Sequence, residues 1–155
     1  MAKVDSIQPY LEPIRKSIVV RRTPQEAFDI FTTRIGAWWP RDQYSLYQAE
    51  SADAMIEPRV GGRIIETSKQ GEQGVWGTVL AWNPPHGLTL DWHAGTDPAA
   101  STEIELRFVA VAEGTRVELE HRNWTRVGEK AAESRQGYDG GWVRVFEQCF
   151  REACS

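Results

Sequence analysis

Between Ser101 and Trp124 the chain alternates apolar and polar residues almost without a break, and this restricts its folds more than any other feature. Ile104, Leu106 and Phe108 share one parity, as do Val117, Leu119 and His121 further on. Glu103, Glu105 and Arg107 take the other, together with Arg116, Glu118, Glu120 and Arg122. A period of two marks a half-buried strand, and two such runs joined by a short Gly-containing turn form an antiparallel hairpin. With the turn at Glu113-Gly114, Phe108 faces Leu119 and Leu106 faces His121. On the other side Arg107 meets Glu120 and Glu105 meets Arg122, both favourable cross-strand pairs. A slip of one residue would carry the charges into the core. The expected sheet is antiparallel, with one wet face and one dry face.

The same period extends upstream. It predicts strands over 14–22, 52–58, 62–68, 74–83 and 87–94, followed by 101–111 and 115–124. Thr23-Pro24-Gln25-Glu26 is a helix start, with a capping Thr, Pro in the first turn and Glu closing the box. The helix over 24–33 turns Ala27, Phe28, Ile30 and Phe31 inward, and a second short helix over 34–39 stops at Pro40. Turning the chain through 83–87 sets Trp82 opposite Leu88, Leu80 opposite Leu90 and Thr78 opposite Trp92. Trp76, Thr78, Leu80 and Trp82 then share a face. A turn at 69–73 would set Glu66 opposite Trp76 and Ile64 opposite Thr78, although several turn lengths fit there. Residues 128–154 read as a helix broken or kinked at Gly137-Tyr138-Asp139-Gly140-Gly141. Beyond the break, Trp142, Val145, Phe146, Cys149 and Ala153 recur at helical spacing with Phe150 beside them. This helix is expected to lie on the dry face of the sheet.

Composition narrows the function classes. A chain of 155 residues is one domain's worth, expected over 1–155 with its core at about 14–152. The formal net charge of −4 argues against nonspecific binding to nucleic acid or anionic lipid. No run of roughly 18 apolar residues offers a membrane span. The first ten residues lack the apolar segment of a secretory signal. Cys149 and Cys154 fall on different faces of one predicted helix and cannot bridge. Reduced thiols without a signal fit the cytoplasm. Three histidines without HExxH spacing make no metal site, and Val60-Gly61-Gly62 is a turn rather than a dinucleotide loop. No cofactor is expected, and the absence of a Gly-x-Ser-x-Gly elbow argues against a serine hydrolase.

Seven tryptophans in so short a chain require heavy apolar packing or a wide cleft. Their neighbourhoods are informative. Ile56-Glu57-Pro58-Arg59-Val60-Gly61-Gly62-Arg63, Trp76-Gly77-Thr78-Val79 and Trp82-Asn83-Pro84-Pro85 resemble segments of the SRPBCC, or START-like, superfamily. The resemblance is to its branch related to the activator of Hsp90 ATPase homologue 1-like (AHSA1-like) family. Trp38-Trp39-Pro40, Thr115-Arg116-Val117-Glu118-Leu119-Glu120-His121 and Tyr138-Asp139-Gly140-Gly141-Trp142 also resemble it, and the likeness spans about 14–152. It implies an α+β helix-grip fold: a curved antiparallel sheet of about seven strands wrapped around a long C-terminal helix, with two short helices after the first strand. It also implies a deep apolar cavity between sheet and helix. The superfamily includes lipid and polyketide binders, aromatic cyclases and Hsp90 co-chaperone domains, so fold alone does not decide function. No catalytic residue carries over.

The inward parity set and the helix supply the candidate cavity wall: Trp76, Thr78, Leu80, Leu90, Trp92, Ile104, Leu106, Leu119, His121, Tyr138, Trp142 and Phe146. Glu57 and Glu66 join them if the registers hold, and buried carboxylates are rare unless paired. His121 is either a ligand partner or acid/base group, or a core histidine satisfied by a backbone group or by Trp124. Arg59 or Arg63 could pair with the carboxylates instead of leaving them free. Three functions follow as expectations: binding of a small hydrophobic molecule, a cyclase or hydratase reaction using His121 with Glu57 or Glu66, and modulation of a chaperone ATPase. The corresponding partners are that small molecule, a chaperone, or a second copy of the chain.

Overall fold

Seven strands follow one another in a single antiparallel sheet in the computed structural model, which describes residues 10–155. The N-terminal segment read above for a secretory signal falls almost wholly outside the described residues. The strands are β1 (Ile14–Val20), β2 (Ser51–Ile56), β3 (Arg63–Ser68), β4 (Gln73–Asn83), β5 (Gly87–Trp92), β6 (Thr102–Val111) and β7 (Gly114–Arg122). Their order across the sheet is β1-β7-β6-β5-β4-β3-β2. Between β1 and β2 lie α1 (Pro24–Phe31) and α2 (Ile35–Trp38). The first is capped as its sequence requires: Thr23 Oγ1 accepts the Glu26 N–H at 3.1 Å, and Glu26 Oε1 accepts the Thr23 N–H at 2.9 Å.

The β6–β7 hairpin keeps its predicted faces but not its predicted partners. Val111 pairs with Gly114, so the loop is Ala112-Glu113, and every pair moves by two from the expected register. Phe108 opposes Val117, Leu106 opposes Leu119 and Ile104 opposes His121. A shift of two preserves the side of each residue, which is why the apolar pattern alone did not exclude it. Glu105 now opposes Glu120, a like-charged pair. Arg122 resolves the conflict by reaching Glu105 at 2.6 Å, Glu103 at 2.7 Å and Glu120 at 2.9 Å.

In β4 the expected alternation fails. Trp82 opposes Leu88 as predicted, but Val79 pairs with Leu90 and Gly77 with Trp92, leaving Leu80 unpaired in a bulge. A second bulge on the β3 side leaves Trp76 unpaired, because Ile64 opposes Gly77 while Ile65 opposes Val75. The inward residues are consequently Trp76, Val79 and the partly buried Trp82, whereas Leu80 is 46% exposed and Thr78 only half-buried. The expected pairs Glu66–Trp76 and Ile64–Thr78 are replaced by Glu66–Gly74 and Arg63–Thr78. Gly77 permits this close pairing, since a Cβ there would collide with the Asp91 carbonyl.

The C-terminal helix is continuous where a break was expected. After a 3₁₀ segment at Trp124–Lys130 it runs as α3 (Ala131–Trp142), so Gly137, Gly140 and Gly141 are all helical. It then widens into a π-helical segment, Val143–Phe150, and ends in the single turn α4 (Arg151–Ala153). The buried residues Trp142, Phe146, Phe150 and Cys154 recur every four positions. Such a stripe drifts by about 40° per step on a 3.6-residue turn, and the wider π turns take up the drift. Phe150 packs on Phe31 and Trp38 with ring centroids 5.3 and 5.1 Å apart. Phe28 meets Trp82 and Phe108 edge-on at 5.1 and 5.3 Å. This is the α+β helix grip: a curled antiparallel sheet closed by its last helix.

Candidate functional site

Aromatic packing fills one end of the grip and leaves the other open. There a cleft of about 390 Å³ lies between β4, β5, the loop following α2 and the C-terminal helix from Ser134 to Val145. Trp39, Trp76, Trp92 and Trp142 line it. Trp39 sits at the centre of the four, 5.1 Å from Trp76 and 5.8 Å from both Trp92 and Trp142.

Each of these indole N–H groups is already occupied. Trp39 donates to the Tyr44 carbonyl at 2.7 Å, Trp76 to Glu66 Oε1 at 2.9 Å, Trp92 to Tyr138 Oη at 3.0 Å and Trp142 to His121 Nδ1 at 3.0 Å. The four rings therefore meet the cleft as apolar surface, with their polar tips satisfied by protein.

Two of those acceptors are fully buried ionisable residues. Glu66, on β3, accepts the Leu46 N–H at 2.8 Å and the Tyr47 N–H at 3.3 Å as well as the Trp76 indole. Burial would raise its carboxyl, but hydrogen bonds from Ser51, Trp76 and Leu46 prevail and hold it below the ordinary carboxylate range. It thus anchors the loop that carries Tyr44, Ser45 and Leu46 along the cleft wall. His121, on β7, lies against Trp124 and Tyr138 with centroids 4.2 and 4.8 Å away. Its Nε2 is 2.7 Å from Thr102 Oγ1, and burial pushes its pKa down to about 3. Trp124 donates to the His121 carbonyl at 2.9 Å, so it braces the backbone rather than the ring nitrogens.

Of the candidate wall residues, Trp76, Trp92, Tyr138 and Trp142 line the cleft together. Leu90, Ile104, Leu106, Leu119 and Phe146 are buried in the core, and Leu80 and Thr78 are turned away by the bulges in β4. Glu57 follows β2 on the turn to β3, where its Oε1 accepts the Arg63 N–H at 2.7 Å. That N–H holds its carboxyl below the ordinary range, with help from the Arg63 and Arg59 guanidiniums. Glu57, Glu66 and His121 are not brought together around the cleft: Glu66 lies behind Trp76 and His121 behind Trp142.

Residues not anticipated complete the wall. Ser134, Gly137, Gly141 and Val145 join Tyr138 and Trp142 along one stripe of the C-terminal helix. Their spacing of three and four is the mark of a helical face. An assumed break at 137–141 concealed it. Trp38 and Trp39, by contrast, are expected from their place at the end of the second short helix to close a cavity mouth; Trp39 lines the cleft, whereas Trp38 packs into the core and donates to the Ile30 carbonyl at 2.8 Å. Among the described residues no group of three or more His, Cys, Asp or Glu side chains is arranged to hold a metal, and no helix is long and apolar enough to cross a membrane.

A curled antiparallel sheet gripping a terminal helix, with an aromatic cleft at one end, defines a helix-grip protein of the START-like (SRPBCC) class. The model of the Activator of Hsp90 ATPase homolog 1-like protein family matches residues 21–151, and the chain belongs to that family. Among solved structures it is similar to an anthrahydroquino-gamma-pyrone synthase, Txn09, complexed with SUM. The two are 33% identical with a TM-score of 0.65, over 94% of this chain and 99% of that one. It is also similar to CalC, a self-sacrificing resistance protein from Micromonospora echinospora, at 28% identity and TM-score 0.63, over 91% and 92% of the two chains. A Bacillus halodurans protein shares the fold at 15% identity and TM-score 0.68, over 96% of this chain and 100% of that one. No curated protein matches the sequence.

Proposed function

We propose that the protein binds a small, flat, largely apolar molecule in the cleft between the sheet and the C-terminal helix. One observation carries this reading: four tryptophans line a single cleft with every indole N–H already bonded to protein. Such a wall gains from covering apolar area, at roughly 25 cal/mol per Å², and offers no polar group from the indoles themselves. A volume of about 390 Å³ is in the range of small-molecule sites. Tryptophan-fluorescence titration with a panel of planar aromatics and lipids tests the reading, with native mass spectrometry of the freshly purified protein alongside. Saturable quenching by flat aromatics is expected. Failure of every compound to bind would remove it.

A catalytic reading draws support from the 33% identity to a synthase over almost the whole chain. Under it the reacting molecule would occupy the same cleft. The groups facing it would be hydroxyls such as Tyr138, because His121 and Glu66 are occupied behind the wall. Action on a chaperone ATPase is the reading the family's name supports, and an ATPase assay with an Hsp90-type chaperone tests it.

A further inference from the structure

We propose that the cleft selects ligands carrying a hydrogen-bond acceptor, a ketone or quinone oxygen on a planar ring system, and that the Tyr138 hydroxyl is the group that reads it. The inference rests on the binding reading above and names the ligand class.

It begins from the hydroxyl's hydrogen bonds. Tyr138 Oη accepts the Trp92 N–H at 3.0 Å, which uses one of its lone pairs. Its own proton has no acceptor among the described residues. The side chain is half-buried and lines the cleft, so a molecule bound there can receive this proton. Here the ring is clamped on three sides, by His121 at 4.8 Å, Trp124 at 5.7 Å and Trp142 at 6.4 Å. Rotation of the whole side chain is therefore no route to another acceptor. Burial raises the phenol above its ordinary value, so near neutrality the group is an O–H donor and not a phenolate.

The remaining wall makes this donor selective. The indoles have no N–H to offer, and Leu46, Ala94 and Val145 are apolar. Tyr44, Ser45 and Ser134 also line the cleft, but the Ser45 hydroxyl donates to the Arg41 carbonyl, and Tyr44 is 41% exposed so that its hydroxyl can be served by water. A ligand that fills the cleft with carbon alone leaves the Tyr138 proton buried and unbonded, which is costly. One that sets a carbonyl oxygen against it regains the bond in a surround where water competes poorly.

The test uses 9-fluorenone and fluorene, which share a flat frame and differ by one carbonyl oxygen, with affinities taken from equilibrium dialysis. Measured in a Trp92→Phe background, so that loss of the Tyr138 hydroxyl frees no indole N–H into the cleft, the preference for fluorenone over fluorene is expected to fall by roughly 3- to 10-fold on adding Tyr138→Phe. Val19→Thr, exposed on β1 and outside the cleft, is expected to leave that preference unchanged. If both compounds bind and Tyr138→Phe weakens them equally, the assignment is overturned while binding itself stands. If neither binds the wild-type protein, the binding reading fails first. A second readout needs no variant: the carbonyl stretch of bound fluorenone in the wild-type complex should move to lower wavenumber than in hexane. An unshifted band would overturn the proposal.

Discussion

Trp142 donates its indole N–H to Nδ1 of His121 at 3.0 Å, and this bond decides what the histidine can do. With Nδ1 accepting, the ring proton sits on Nε2 and is donated to Thr102 Oγ1 at 2.7 Å. Thr102 in turn lies 3.4 Å from the Trp92 carbonyl. A neutral imidazole with both nitrogens occupied joins β7, β6 and the C-terminal helix. It is a tie in the fold, not a free base.

Replacing His121 with Leu strands the Trp142 N–H in the interior and leaves the Thr102 hydroxyl with only its long bond to the Trp92 carbonyl. An unsatisfied buried group costs roughly 1–3 kcal/mol, so a loss of about 2–3 kcal/mol is expected. Urea unfolding, followed by tryptophan emission, reads it directly.

Stability should fall with acidity well above the carboxylate range. His121 has a folded pKa of about 3 against an ordinary value of 6.5. Between those values the unfolded chain takes up a proton that the folded chain refuses. The contribution is thus complete above pH 6.5 and is lost progressively as pH falls toward 3. Glu66, held below its ordinary 4.5, acts in the same direction at the lower end. Urea midpoints measured from pH 7.5 down to 4 should decline throughout, and the upper part of the decline should flatten in His121→Leu.

Glu66→Gln tests the anchor behind Trp76. The carboxylate accepts from Leu46, Tyr47 and Trp76 through two oxygens, whereas an amide offers one oxygen and sets an N–H₂ against N–H donors. A loss of roughly 2 kcal/mol is expected. Hydrogen exchange at the Leu46 and Tyr47 amides should accelerate more than at β6 and β7. A uniform change across the protein would argue against a local anchor.

Leu80 and Val79 exchange the roles that simple alternation would assign them. Leu80→Thr should change stability by no more than about 0.5 kcal/mol, as an exposed substitution. Val79→Ala, at a site 1% exposed, should cost about 2 kcal/mol. The opposite ranking in a denaturation experiment would refute the bulges.

Gly137 borders the cleft inside a helix, and a Cβ there would meet nothing within 4 Å. Gly137→Ala should therefore stabilise the protein by roughly 0.5–1 kcal/mol through helix propensity. Gly137→Leu should obstruct the mouth and weaken binding of planar ligands severalfold without unfolding the protein. Thermal melts and dialysis on the same two variants separate the effects.

Much of this architecture was legible in the residues. Alternation located all seven strands to within a few positions, and Thr23-Pro24-Gln25-Glu26 marked the start of α1. What alternation does not encode is count. A hairpin register can move by two with no change in which side chains are buried, as at Ala112-Glu113. A one-residue bulge exchanges the faces of everything beyond it, as at Trp76 and Leu80. Similarly, Gly140-Gly141 reads as a break because glycine is a poor helix former. Packing beside Trp142 and Tyr138 overrides that weak local preference. His121 was visible as an inward histidine, but its two partners come from β6 and the C-terminal helix, distances that spacing does not encode.

The paired bulges in β4 also divide labour along a single strand. Trp76 faces the cleft, Val79 the core and Trp82 the Phe28 side of the closed end. Spacing these three by three residues instead of two gives each its own compartment. Substitution at 76 can then reshape the cleft without asking 79 or 82 to repack. Cleft wall and core are in this sense separable within eleven consecutive residues.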